Sequence, residues 1–176
     1  MADWPHGRLM PTTTITPWSE ESLGQLYGNA GAPASQAYAQ NRSVFFPFRL
    51  AVHRTAVKLF LVNGATINGN IDVGIYTSEF QRIVSAGSTA QSGANAIQEF
   101  DITDTDLSPG LYYLGFSGNS ATGTVFTLLP TDELSLHTPL YSLASSFPLA
   151  DSPAVVVSTG SNPGPILCGI AFATLI

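Results

Sequence analysis

Asp101, Asp104 and Asp106 are closely spaced and stand just ahead of Ser108-Pro109-Gly110, a turn signal in which Pro presets φ and Gly supplies the positive φ that follows. Paired carboxylates are what glycoside cleavage uses, and several carboxylate oxygens can hold a hard cation such as calcium. The Asp-x-x-Asp-x-Asp spacing lacks the glycine and the distal glutamate of an EF-hand loop. Aspartates in a loop that ends a strand more often cap backbone amides in Asx-turns. Turn capping is therefore the expected role, ahead of calcium binding and then of catalysis. No other metal ligands are expected: His6, His53 and His137 each lack a second His or Cys at ligand spacing.

Nucleophiles are equally sparse. Gly118-Asn-Ser-Ala-Thr-Gly has the wrong spacing for a nucleophile elbow. Lys58, the only lysine, follows no glycine-rich run, so no phosphate loop can be built. Cys168 is the only cysteine, which excludes an intrachain disulfide, and its apolar surroundings in Ile166-Leu-Cys-Gly-Ile-Ala-Phe suit a buried, inert thiol. Tyr76, Tyr112, Tyr113 and Phe116 can stack on sugar rings or pack in a core, and the core is the expected place. Neither an enzymatic activity nor a cofactor is expected.

The chain has 176 residues, enough for one domain with a real core. Charged residues are only 10% against 44% hydrophobic, with a net charge of −6, where soluble domains usually carry about a quarter charged residues. A surface of uncharged polar groups suits stable assembly or extracellular exposure, and a negative chain suits nucleic acid poorly. No apolar run is long enough to span a bilayer. The start, Met-Ala-Asp-Trp-Pro-His, has neither the basic nor the apolar region of a signal peptide, so synthesis in a cytoplasm without the usual export is expected. The Asn41-Arg42-Ser43 glycosylation sequon is then accidental. Arg42, Arg49, Arg54 and Lys58 fall in an acid-free segment, whereas only Arg82 opposes the acids from Asp72 to Asp151. These halves either neutralise each other within one fold or meet between subunits.

The elements that position these residues read as strands. Ile71, Val73 and Ile75 share one parity opposite Asp72 and Gly74, and Tyr112, Leu114 and Phe116 share one opposite Gly115 and Ser117. Each pattern predicts a strand with one buried face. Shorter apolar runs at 80–86 and 97–102 complete a meander. Before it, residues 44–50 are apolar on both parities, with Pro47 marking an edge or a bulge. Residues 55–62 put Val57, Leu59 and Leu61 opposite Lys58 and Phe60, and Asn63-Gly64 and Asn68-Gly69 are hairpin-type dipeptides. Further strands are expected at 124–129, 154–158 and 166–175, with one helical turn from Thr131.

Residues 1–42 form an expected N-terminal arm ahead of a β domain at 43–176. Within the arm, Ser19 caps a predicted short helix at 20–27, and 28–40 reads as an extended linker. Trp4 and Trp18, the only tryptophans, lie there and need burial on the arm's own domain or on a neighbour. Many short strands with closely spaced turns predict an all-β, jelly-roll-like antiparallel β-sandwich.

Asn70-Ile-Asp-Val-Gly-Ile-Tyr, Arg82-Ile-Val-Ser-Ala-Gly-Ser-Thr, Ile97-Gln-Glu-Phe-Asp-Ile-Thr, Leu107-Ser-Pro-Gly-Leu-Tyr-Tyr-Leu-Gly and Phe147-Pro-Leu-Ala together resemble the small β-sandwich modules of tailed-bacteriophage virion proteins: head-decoration proteins, head fibres and tail fibres. The resemblance covers about residues 44–176, and the same strand grammar recurs in carbohydrate-binding jelly rolls. It implies a non-enzymatic structural protein of a phage particle, made in the host bacterial cytoplasm and carried on the virion. A capsid decoration role is the expectation, with a receptor-binding or tail-fibre module for host glycans as the alternative. The implied partners are capsid or tail proteins and further copies of the chain, a homotrimer on the resemblance alone. The expected contact residues are Trp4, Trp18, Leu23 and Tyr27 in the arm, with Arg49, Arg54 and Lys58 in the basic segment.

Overall fold

A computed structural model describes residues 14–15, 33–128, 141–143, 147–154, 156–157 and 166–173. Among them the chain is all-β: thirteen strands, every pairing antiparallel, and no helix. The strands are β1 (Thr14–Ile15), β2 (Pro33–Ala37), β3 (Ser43–Leu50), β4 (Arg54–Val62), β5 (Asn70–Thr77), β6 (Arg82–Ser85), β7 (Thr89–Ala90), β8 (Ile97–Leu107), β9 (Gly110–Gly118), β10 (Thr124–Leu128), β11 (Tyr141–Leu143), β12 (Val156–Val157) and β13 (Cys168–Phe172). A four-stranded sheet has the order β1-β13-β4-β8. A seven-stranded sheet has the order β12-β11-β3-β9-β5-β6, with β7 also on β5, and β10 pairs with β2 in a separate ribbon. The predicted helix at 20–27, the turn from Thr131, and Trp4, Trp18, Leu23 and Tyr27 lie outside the described residues.

Several connections change sheet, while β5, β6 and β7 stay together in the larger one. The chain passes from β3 to β4, back to β5, and again from β8 to β9. Apolar residues recurring every second position then point into the space between. Leu59, Leu61, Phe100, Leu107, Cys168 and Ile170 of the smaller sheet meet Phe46, Phe48, Ile71, Val73, Ile75, Leu114 and Phe116 of the larger in one core cluster. Each such side chain contributes roughly 1.5–3 kcal/mol by leaving water. The expected inward parity of β5 and β9 holds, since Ile71, Val73, Ile75, Leu114 and Phe116 belong to this cluster whereas Tyr76 and Tyr113 belong to a separate one.

Several expectations change. β5 is buried on both faces, including Asp72, Gly74 and Tyr76, because another segment covers its outer side. In β4 the register with β8 shifts between Ala56 and Lys58. This bulge makes fully buried Ala56 an inward residue and leaves Val57 only half-buried. Asn63 forms a bridge with Val125, and 63–69 cross from one sheet to the other, so Asn63-Gly64 closes no hairpin. Residues 33–37, expected within a linker, are β2, paired with β10 at five positions. Its Ala, Ser and Gln residues carry no alternating pattern, so backbone pairing alone defines it. Pro47 pairs with Tyr113 on one side, beyond the three residues that β11 pairs to β3, in keeping with its missing N–H.

Candidate functional site

The three aspartates do not sit in a loop. All lie on β8, whose pairing continues through Asp106 and Leu107, so strand backbone replaces the expected Asx-turns. β8 is the edge of its sheet. The Lys58 ammonium on β4 lies 3.2 Å from Glu99 Oε2 and 3.3 Å from Asp101 Oδ1. Asp106 Oδ1 accepts a 2.6 Å bond from Thr55 Oγ1. Among the described residues no group of three or more His, Cys, Asp or Glu is placed to hold a metal ion.

The candidate nucleophiles are occupied. Glu99 and then Asp101 hold the Lys58 ammonium above its ordinary pKa, which keeps the amine protonated. Burial pushes the Cys168 thiol up to about 12, leaving no thiolate at neutral pH. The aromatic residues are packed together. Phe80 stacks on Tyr113 at 4.3 Å between ring centres, and Phe45 meets Tyr76 and Phe80 edge-on. Phe80 adopts φ 59°, a rare conformation for an aromatic residue, in the turn closed by the Thr77 N–H on the Gln81 carbonyl. Phe116 faces the core, edge-on to Tyr38. Tyr76 and Tyr113 are buried as well, so neither offers a free ring face.

Residues 147–152 cross the outer face of β5 and β6 as a strap, which the sequence reading missed. The Leu149 N–H donates to Asp72 Oδ2 at 3.1 Å, and Arg82 Nη1 donates to the Leu149 carbonyl at 2.5 Å. Arg82 also pairs with the Asp151 carboxylate. Tyr76 donates to the Ala150 carbonyl at 2.7 Å, and Gln81 to Ser152 Oγ at 2.8 Å. Gly74 allows the approach, since a Cβ there would stand 3.2 Å from Leu149 Cδ1. Burial raises the Asp72 pKa above its ordinary value, against the lowering influence of the Leu149 N–H and Arg82. The one local hint was an acid placed mid-strand between apolar residues.

The two ends of the molecule differ. At the end holding 63–69, Gln91 donates to Asn63 Oδ1 at 3.0 Å and to the Thr124 carbonyl at 2.7 Å, while Asn63 donates to Gln98 Oε1 at 3.0 Å. These amides bind loop to loop. At the opposite end the turns 51–53 and 108–109 lie together, because Leu50 pairs with Gly110 and Arg54 with Leu107. Arg49 lies near the end of β3, and His53 and Arg54 lie where β4 begins, while Lys58 lies farther along β4 in its ion pairs. Val52 and Leu111, exposed by 47% and 46%, are at the same end. No family model, curated protein or solved structure matches the chain.

Proposed function

We propose that this chain is a non-enzymatic structural protein of a bacteriophage particle, a capsid decoration protein folded as a jelly-roll-like sandwich and attached to the virion through its N-terminal arm. The observation that carries the reading is the strand order. The orders β1-β13-β4-β8 and β3-β9-β5-β6, joined by several crossings between the two sheets and sharing one core cluster, support a jelly-roll reading. β11 and β12 lengthen one edge, and β2 with β10 form an added ribbon. This architecture serves viral capsid proteins and lectins. The decoration role is favoured over glycan recognition because Tyr76 and Tyr113 are sealed against other rings and under the strap. Chemistry is disfavoured by the buried thiol and the charge-paired lysine.

Quantitative mass spectrometry of purified particles from the phage that carries this chain tests the proposal, with the major capsid protein as internal standard. Hundreds of copies per particle are expected. A handful of copies together with glycan-array binding would move the chain to a receptor-binding tip, and absence from particles overturns the reading.

A further inference from the structure

The sequence holds two Asn-Gly pairs, Asn63-Gly64 and Asn68-Gly69, and the fold treats them oppositely. With no side chain on the following residue, the glycine nitrogen can approach the side-chain carbonyl carbon of the asparagine before it. Asn63 is fully buried. Its Nδ2 donates to the Ser92 carbonyl at 2.6 Å and to Gln98 Oε1 at 3.0 Å, and its Oδ1 accepts from Gln91 Nε2 at 3.0 Å. The Gly64 N–H donates to the Thr124 carbonyl at 2.9 Å. Both groups that would have to react are therefore engaged. Asn68 and Gly69 are exposed. The Asn68 side chain makes one bond among the described residues, from Nδ2 to the exposed Thr122 hydroxyl at 2.7 Å. The Gly69 N–H has no acceptor among them. Gly69 also holds φ 74°, and an added Cβ would stand 2.5 Å from Asn119 Oδ1. The turn needs glycine there, and the reactive pair comes with it.

We propose that Asn68 is a site of spontaneous covalent modification, deamidation through a succinimide, with water as the co-reactant. The Gly69 nitrogen gives up its proton to base in the solvent and bonds to Asn68 Cγ. The Cγ–Nδ2 bond breaks, and Nδ2 takes up a proton and leaves as ammonia. Water then adds to either carbonyl of the five-membered ring and opens it, leaving aspartate or isoaspartate at position 68. Nothing is oxidised or reduced. Either product adds a negative charge and removes the donor to Thr122. Isoaspartate also lengthens the backbone by one carbon between two groups that Gln91 holds: the Asn68 N–H, which donates to Gln91 Oε1 at 3.1 Å, and the Gly69 carbonyl, which accepts from the Gln91 N–H at 2.9 Å. The reaction thus loosens the crossing 63–69 at the end where the amides bind loop to loop.

Peptide mapping by mass spectrometry of the full chain, kept folded at mildly alkaline pH, tests the proposal. Digestion with pepsin at low pH adds no conversion of its own, because the Gly69 nitrogen then keeps its proton. Fragmentation between positions 63 and 68 assigns the replacement of NH2 by OH to one asparagine or the other. Position 68 should convert about tenfold faster than position 63 or more, since Asn63 must first break several buried hydrogen bonds. In guanidinium chloride the two should convert at similar rates, because the protection of Asn63 lies in the fold. Thr122→Val frees Asn68 Nδ2 and should speed conversion at 68 while leaving 63 unchanged. Gly69→Ala should suppress it, and the Thr122 variant keeps the test open if the alanine variant folds poorly by circular dichroism. An intact Asn68 in the folded chain, or conversion at 63 as fast as at 68, overturns the inference.

Discussion

Asp72 has no exposed surface, and its Oδ1 has no hydrogen-bond partner among the described residues. The Leu149 N–H serves only Oδ2. Leaving water costs the carboxylate more than the Leu149 amide, the Arg82 guanidinium and the nearby Gly87 backbone and Ser85 hydroxyl return, so its pKa rises above the ordinary 3.8. Between that value and the raised one, the folded state binds more protons than the unfolded state, and stability falls as pH rises. The contribution is fully present below 3.8 and is lost as pH rises through the folded pKa. Asp72→Asn keeps an oxygen for Leu149 and removes the charge. At neutral pH its thermal midpoint should equal or exceed that of wild type, with wild type gaining on the variant as pH falls; the opposite trend in paired melts would refute the assignment. Gly115 shows a steric constraint of the same sheet. A Cβ there would lie 2.8 Å from Tyr76 Cε2 and 3.0 Å from Phe45 Cε1. With both rings fully buried, Gly115→Ala should cost about 1–3 kcal/mol in denaturant unfolding.

β5 and β9 show what is legible in local sequence and what is not. Their alternation identified the inward face correctly, and Leu114→Ala, at a site with no exposure, should cost about 2–5 kcal/mol. A loss of only a few tenths in chemical denaturation would mean that the parity is wrong. The outer face was hidden because its cover, 147–152, comes from more than 70 positions away, as the Tyr76 to Ala150 bond shows. No periodicity in β5 records so distant a partner. The aspartates misled for a related reason: Asp-rich sequence ahead of a Pro-Gly turn has loop composition, but on edge strand β8 those side chains need only point to solvent. The strap itself can be loosened at one atom. Tyr76→Phe deletes the donor to Ala150 while keeping the ring, so about 0.5–1.5 kcal/mol should be lost. Hydrogen exchange should quicken across 149–152 and remain slow in β9; unchanged exchange in the strap would show that its other bonds suffice.

At the scale of the whole molecule, the question is where the independently stable body begins. Residues 1–42 had been expected to form an arm, yet β2 pairs with β10 along its full length and Tyr38 is part of the central core cluster. Tyr38 is only 4% exposed, meets Phe116 edge-on at 5.4 Å, and donates from its hydroxyl to the Asn68 carbonyl at 3.1 Å. Two truncations that differ by only eight residues therefore part company. Removing residues 1–32 takes β1 from the edge of the smaller sheet and leaves β2 and Tyr38 in place. Removing residues 1–40 also strips β10 of its partner and empties the Tyr38 site against Phe116. Loss of a buried aromatic side chain alone costs about 3–5 kcal/mol, and the unpaired β10 backbone adds to it. The shorter truncation should unfold cooperatively with most of the native stability, and the longer one should be weaker by at least that amount, or fail to fold. Urea denaturation of both chains, followed by circular dichroism and by tyrosine fluorescence, makes the comparison. Equal midpoints would place the start of the folded body after Gln40 and return β2 to the arm.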